Sequence, residues 1–208
     1  MVAVARHRLI VYTGGMTTVI FMTNPASDRF IGIADTQMTS GGKASELAET
    51  DSKIFSPVGV PNIVIGFSGH VSVKTALKSL RLPKKASKMK VTSPETASAF
   101  VEVVLVPAIR DHLNRSFPPG SEFVYGPNFG ILVWIKGTDY VYEVGPDLSV
   151  TQNKSGFYSV GSGAHYAEVS FDMRPHADPV EHMQYAVKND IYSSGPFHVV
   201  QIEKGSNK

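Results

Sequence analysis

The sequence predicts an α+β fold whose antiparallel sheets carry helices on their outer faces. Strand-forming runs cluster, and helical patterns come in consecutive pairs, so the strict alternation of a parallel doubly wound sheet is missing. Two pairs of strand runs are separated only by turn-rich residues, as in hairpins. With 208 residues, 42% of them apolar, the chain can bury one substantial core. Neither an internal repeat nor a domain linker is visible.

Thr17 to Met22 and Phe30 to Ala34 are short strand-forming runs. The residues between them, Thr23 to Arg29, are turn chemistry, so the pair reads as a hairpin. Ser40-Gly41-Gly42 opens a polar loop to about Asp51. Asn62 to Ser68 reads as a strand ending at Gly69, and Val71 to Arg81 as a helix. Leu82 to Val91 is a basic connector without interleaved aromatic residues, hence a solvated loop and no nucleic-acid patch. Ser93-Pro94-Glu95 starts a helix that runs toward His112 and is kinked by Pro107. Phe129 to Ile135 and Tyr140 to Val144 form a second hairpin, and Gly145-Pro146-Asp147 turns the chain again. Gly156 to Val160 leads into Gly161-Ser162-Gly163, and Ala164 to Met173 is helical. Asp178-Pro179-Val180-Glu181 reads as a capping box before a helix that reaches about Ser193. Phe197 to Glu203 is a last strand.

Composition narrows the function. A formal charge of +2 is too small to argue for nucleic acid or an anionic membrane as the main partner. No cysteine is present, which removes disulfides, thiol nucleophiles and Cys-ligated metals and suits a reducing, cytoplasmic compartment. Nothing approaches the ~18 apolar residues of a membrane span. The apolar run Leu9 to Tyr12 is shorter than the ~7–15 residues of a secretory core.

Serine and threonine hydroxyls become nucleophiles only when a base takes the proton. None of the seven histidines stands in a recognisable setting. Gly66-Phe67-Ser68-Gly69 departs from the G-x-S-x-G elbow by one position, so a serine–histidine hydrolase is a distant reading. A threonine at a chain's first position needs no histidine. Its own α-amino group, with a pKa near ~7.7–8.0, is a base at neutral pH. A lysine nearby lowers the pKa values, an aspartate holds the lysine, and a glycine N–H receives the oxyanion. Thr17, Asp35, Lys53 and Gly69 supply these parts in order. Taken singly, each has a duller explanation as strand, turn or surface residue.

Several segments in order resemble the proteasome β-subunit family of N-terminal-nucleophile hydrolases, including the bacterial peptidase HslV. "TTVIFM…RFIGIADTQMTSGG" is similar to the family's opening hairpin, with a slightly longer loop, and "DSKIF" to its lysine segment. "IVIGFSGHVSVKTALKSL" resembles its oxyanion strand, turn and first helix. "YSVGSGAHYA" and "AVKNDIYSSGPFHVVQI" resemble its glycine–serine–glycine turn and its last helix and strand. The likeness runs from Thr17 to about Ile202.

The resemblance implies a four-layer α-β-β-α sandwich of two antiparallel sheets over residues 17–208. It implies a threonine endopeptidase with no cofactor and no metal. Thr17 is then the nucleophile, its amine the base, and Lys53 with Asp35 the charge pair. Gly69 gives the oxyanion N–H, and Ser162, Asp190 and Ser193 form the supporting network near the threonine amine. Thr39 pairs with an extended substrate beside the Gly69 strand edge. Met38, Phe67 and Asp51 shape the first specificity pocket, Phe67 making it shallow and Asp51 favouring a basic side chain. Implied partners are peptide or unfolded polypeptide substrates, copies of the chain in stacked six- or seven-membered rings, and an unfolding ATPase.

One junction departs from the pattern. Met16 stands directly before Thr17, where a self-processed threonine usually follows glycine, and Gly15 is one place further back. Residues 1–16 are either a propeptide that Thr17 removes or an upstream extension before an initiator Met16, and the junction leans to the second. An uncleaved chain would be a non-catalytic ring subunit, although the complete set Thr17, Asp35 and Lys53 argues against that. An N-terminal-nucleophile amidohydrolase acting on a small amide is a further alternative, and it would need no enclosing ring.

Overall fold

In the computed structural model the described residues are 17–23, 29–40, 43–83, 89–117, 129–152 and 155–203. The 1–16 segment, the tip of the first hairpin and Gly41-Gly42 therefore lie outside them.

Eleven strands and five α-helices are described. β1 (Thr18–Thr23), β2 (Arg29–Asp35), β10 (Phe157–Gly161) and β11 (Phe197–Glu203) form a sheet in the order β10-β1-β2-β11. β5 (Ile54–Phe55), β6 (Ile63–Ser68), β7 (Gly130–Ile135), β8 (Val141–Val144) and β9 (Val150–Thr151) form a second sheet in sequence order. Every pairing is antiparallel. The α+β class and both expected hairpins are therefore present.

Side-chain alternation along the strands builds three separate apolar clusters. From β1, Val19 and Phe21 join one cluster with Val64, Leu132 and Trp134 of the second sheet. Between them, Ile20 points to the other face and meets Ala167, Met183 and Ala186. Those three belong to α4 (Ala164–Met173) and α5 (Pro179–Asn189). The alternate residues of the second sheet, Ile63, Ile65, Ile131 and Val133, pack with Leu77, Phe100 and Ile109. These come from α1 (Val71–Lys78), the segment after α2 (Pro94–Ala99), and α3 (Val106–Ser116). Phe30 and Trp134 stack at 3.9 Å across the two sheets.

Four local expectations are corrected. The polar loop after Ser40 is a second small hairpin, β3 (Gln37–Ser40) paired with β4 (Lys43–Glu46). Ahead of Pro107 the helix adopts a π-helical stretch over Phe100–Leu105. A proline has no N–H to donate, so a ladder approaching it must be rearranged. Asp178 caps α5 through Val180 N at 2.8 Å, without the reciprocal bond of a capping box. The box is at Ser93, whose Oγ accepts from Thr96 N while Thr96 Oγ1 accepts from Ser93 N. Finally α5 stops at Asn189, which leaves Asp190 as its C-cap.

Candidate active site

Thr17 heads β1, Asp35 ends β2, and Lys53 directly precedes β5. The two sheets thus bring residues 18 and 36 positions apart into contact. Thr17 Oγ1 donates to Asp35 Oδ1 and accepts from Lys53 Nζ. Lys53 Nζ also donates to Asp35 Oδ1 at 2.9 Å and to the Gln37 carbonyl at 2.6 Å. Asp35 accepts further from Thr18 N at 2.8 Å and from Gln37 N at 3.0 Å. Its side chain is 0% exposed and that of Lys53 is 8% exposed. Buried charges survive only when paired and hydrogen-bonded, and these are both. Burial nevertheless pushes the Lys53 amine below its usual pKa, partly offset by the Asp35 charge and hydrogen bond.

A second network lies on the α5 side. Ser162 Oγ and Ser193 Oγ each donate to Asp190 Oδ2 at 2.6 Å. Thr18 Oγ1 and Ser193 Oγ are 2.8 Å apart. The single hydroxyl proton of Ser193 goes to Asp190, so Thr18 is the donor in that pair. Ser162, Asp190 and Ser193 are therefore together, and they reach β1 through the hydroxyl of Thr18. Two glycines permit this closeness. At Gly161 φ is +107° and a Cβ would stand 1.8 Å from the Thr17 carbonyl oxygen. A Cβ on Gly163 would stand 2.1 Å from Thr18 Oγ1.

Beside Thr17 opens a cleft bounded by Gln37, Met38, Leu47, Lys53, Phe67, Gly69, Val71 and Lys74. Met38, Phe67 and Gly69 are thus on its wall. Thr39 is in β3, whose one paired neighbour among the described strands is β4. Asp51 stands behind the wall, paired with lysines of α1. Its Oδ1 is 3.0 Å from Lys74 Nζ and 2.6 Å from Lys78 Nζ. Burial pushes the Asp51 carboxyl up, but the hydrogen bonds from Lys78 and Lys74 outweigh it and hold the group below its usual range.

Sequence reasoning missed Thr18, Gln37 and Lys74. Thr18 is a fully buried polar residue at a strand position, and Gln37 acts through its backbone, which no side-chain type announces. Lys74 was detectable: it falls on the buried stripe of α1 with Val73 and Leu77.

No protein-family model and no curated protein matches the chain. Solved structures do. HslV from Trypanosoma brucei superposes with a TM-score of 0.63 at 16% identity, covering 90% of this chain and 99% of that one. Thiobacillus denitrificans BPH gives 0.62 at 17% identity over 92% of this chain and 100% of its own. The same protein in complex with epoxomicin gives 0.64 at 17% identity, over 91% and 100%. At such identity the likeness is one of fold. The chain has the fold of HslV, and with it that of the proteasome β-subunit family whose motifs its sequence resembles.

Proposed function

We propose that the chain is a threonine endopeptidase subunit of a proteasome-like ring, with residues 17–208 as its working domain in a four-layer sandwich. One observation carries the reading: the Thr17 hydroxyl is held between the Lys53 ammonium and the Asp35 carboxylate, beside an open cleft. The three apolar clusters support the layer order helix, sheet, sheet, helix.

In this mechanism the Met16–Thr17 bond must first be broken, which frees the Thr17 amine. That amine takes the hydroxyl proton, and Oγ1 attacks the substrate carbonyl carbon. The Gly69 N–H stabilises the oxyanion. The proton passes from the amine to the leaving nitrogen as the C–N bond breaks, leaving an ester on Oγ1. Water then gives a proton to the amine and attacks the ester carbonyl; as the ester C–O bond breaks, that proton passes from the amine to Oγ1, releasing the acid and restoring Thr17. Lys53 supplies positive charge beside Oγ1, and Asp35 keeps it there. Thr18, Ser193, Asp190 and Ser162 hold the backbone at the site. β3 is the strand against which an extended substrate pairs, through the backbone of Thr39. Substrates are peptides or unfolded polypeptides, the setting is cytoplasmic, and an ATPase that unfolds them is the expected partner.

Met16 in place of glycine favours a second reading, a non-catalytic subunit that keeps residues 1–16. Intact mass and N-terminal sequencing of the purified protein, together with hydrolysis of fluorogenic peptides, separate the two. A chain beginning at Thr17 with peptidase activity that Thr17→Ala abolishes is expected. A chain that always retains residues 1–16 and cleaves nothing overturns the catalytic reading. A monomer cleaving only a small amide would indicate the amidohydrolase alternative.

A further inference from the structure

The charges around the cleft do not balance. Lys53 is matched by Asp35 at 2.9 Å. Beyond them, Lys74 and Lys78 share one carboxylate oxygen, Asp51 Oδ1, at 3.0 and 2.6 Å. Two ammonium groups on one carboxylate leave one positive charge over. The two lysines differ in how water reaches them. The Lys78 side chain is 34% exposed and solvent screens it, whereas that of Lys74 is 3% exposed. An ammonium has three N–H donors. Lys74 spends one on Asp51 Oδ1 and one on the Asp51 carbonyl at 3.1 Å, and no other acceptor among the described residues takes the third. A buried donor lacking an acceptor is costly, and a ligand group that supplies one recovers that cost.

Lys74 is also on the cleft wall, with Met38, Phe67 and Val71 forming an apolar sleeve and Thr17 at the reacting end. A side chain entering from Thr17 therefore meets aliphatic and aromatic surface first. We infer that Lys74 is a specificity residue: the cleft selects an acidic side chain, glutamate or aspartate, on the residue whose carbonyl Thr17 attacks. The methylenes of such a side chain pack on the sleeve, and its carboxylate accepts the remaining Lys74 N–H. A basic side chain would bring like charge to a poorly hydrated ammonium. A neutral apolar side chain would fill the sleeve and leave the donor unmet. This inference rests on the peptidase reading, and its sign is opposite to the basic preference that Asp51 suggested in the sequence.

The test uses the protein with Thr17 confirmed as its first residue by intact mass, and three fluorogenic peptides that differ only in the residue before the scissile bond: Glu, Leu or Lys. A charge-assisted hydrogen bond of this kind corresponds to about tenfold to a hundredfold in rate. The expected order of kcat/KM is Glu above Leu by about tenfold, with Lys lowest. Lys74→Met keeps the aliphatic stem and leaves Asp51 its Lys78 partner, so it should lower the Glu-to-Leu ratio about tenfold. Lys74→Arg should retain the preference. Lys74→Gln reads the same ratio if the methionine variant does not fold. Cleavage of the Leu or Lys peptide in preference to Glu overturns the inference while the peptidase reading stands. So does a Glu-to-Leu ratio that Lys74→Met or Lys74→Gln leaves unchanged. Failure to cleave any of the three overturns both.

Discussion

Lys53→Met is the perturbation that most directly tests the buried pair. The substitution keeps the stem and deletes the ammonium, leaving Asp35 fully buried without its cation. Removing one partner of a buried pair usually costs ~3–5 kcal/mol. Asp35 keeps backbone donors from Thr18 at 2.8 Å and Gln37 at 3.0 Å, which favours the lower end, about 3 kcal/mol. For a chain of this size 1 kcal/mol shifts Tm by roughly 2–4 °C, so a fall of about 6–12 °C is expected. The double variant Lys53→Met/Asp35→Asn removes both charges and should be more stable than the sum of the singles by about 1–3 kcal/mol. Linkage gives an independent check. The folded state lowers the Lys53 pKa, so between that value and the ordinary 10.5 the unfolded chain binds more protons. Stability therefore rises with pH across that window, and Lys53→Met removes this component of the slope. Scanning calorimetry and denaturant titrations at several pH values measure all three effects. A Tm change below about 2 °C, or strictly additive single variants, would refute the reasoning.

Three further outcomes are expected. Gly161→Ala forces a Cβ onto the Thr17 carbonyl at a positive φ, so it should cost more than the ~1–3 kcal/mol of backbone strain alone and abolish the proposed peptidase activity. A milder Gly163→Ala should lower activity by displacing Thr18 Oγ1 from Ser193; wild-type stability and rates for both would count against the close packing at β1. Burial, with a small contribution from Tyr142, pushes the Tyr158 phenol up to about 12. The folded state keeps this proton while the unfolded chain loses it near 10, so stability should fall as pH rises from 10. The loss approaches about 3 kcal/mol by pH 12 and should be absent in Tyr158→Phe, as alkaline unfolding curves would measure.

Elements with a strong apolar period were legible residue by residue. Ala164–Met173 and Phe197–Glu203 have the ends their sequence announced. In β1 the run was legible as a strand, but an unbroken apolar string does not say that Val19 and Phe21 face one cluster and Ile20 another. The hairpin β3–β4 was not legible, because Gln37–Ser40 and Lys43–Glu46 have little apolar content and are ordered by their mutual pairing. Ser93 and Asp178 illustrate the same limit at helix starts. A box was expected where Glu181 follows Asp178, yet it formed where threonine, not glutamate, follows Ser93. Proline at 107 announced a disturbance, but only packing decides that a π-helical stretch absorbs it. At the site, residue types alone did not single out Thr17, Asp35 and Lys53; their order and spacing put them forward, and the fold brings them into contact. For Asp51 a carboxylate in a string cannot reveal that two lysines from the next helix pair with it.

The proton inventory at Thr17 also bears on which group can be the base. Lys53 uses its three N–H bonds on Thr17 Oγ1, Asp35 Oδ1 and the Gln37 carbonyl. An amine directing all three hydrogens outward to acceptors is a full donor, with no lone pair aimed at the hydroxyl. Asp35 Oδ1 already accepts from Thr17 Oγ1, Thr18 N and Lys53 Nζ, so a transferred proton would displace one of those bonds. Lys53 is therefore better suited to stabilising the alkoxide, and Asp35 to holding Lys53 in place, than either is to removing the proton. Within the proposed mechanism the base that remains is the Thr17 α-amine, which a peptide bond to Met16 converts into a non-basic amide nitrogen. Assembly of the charge pair and acquisition of the base are thus separable events: folding accomplishes the first, and cleavage before Thr17 the second.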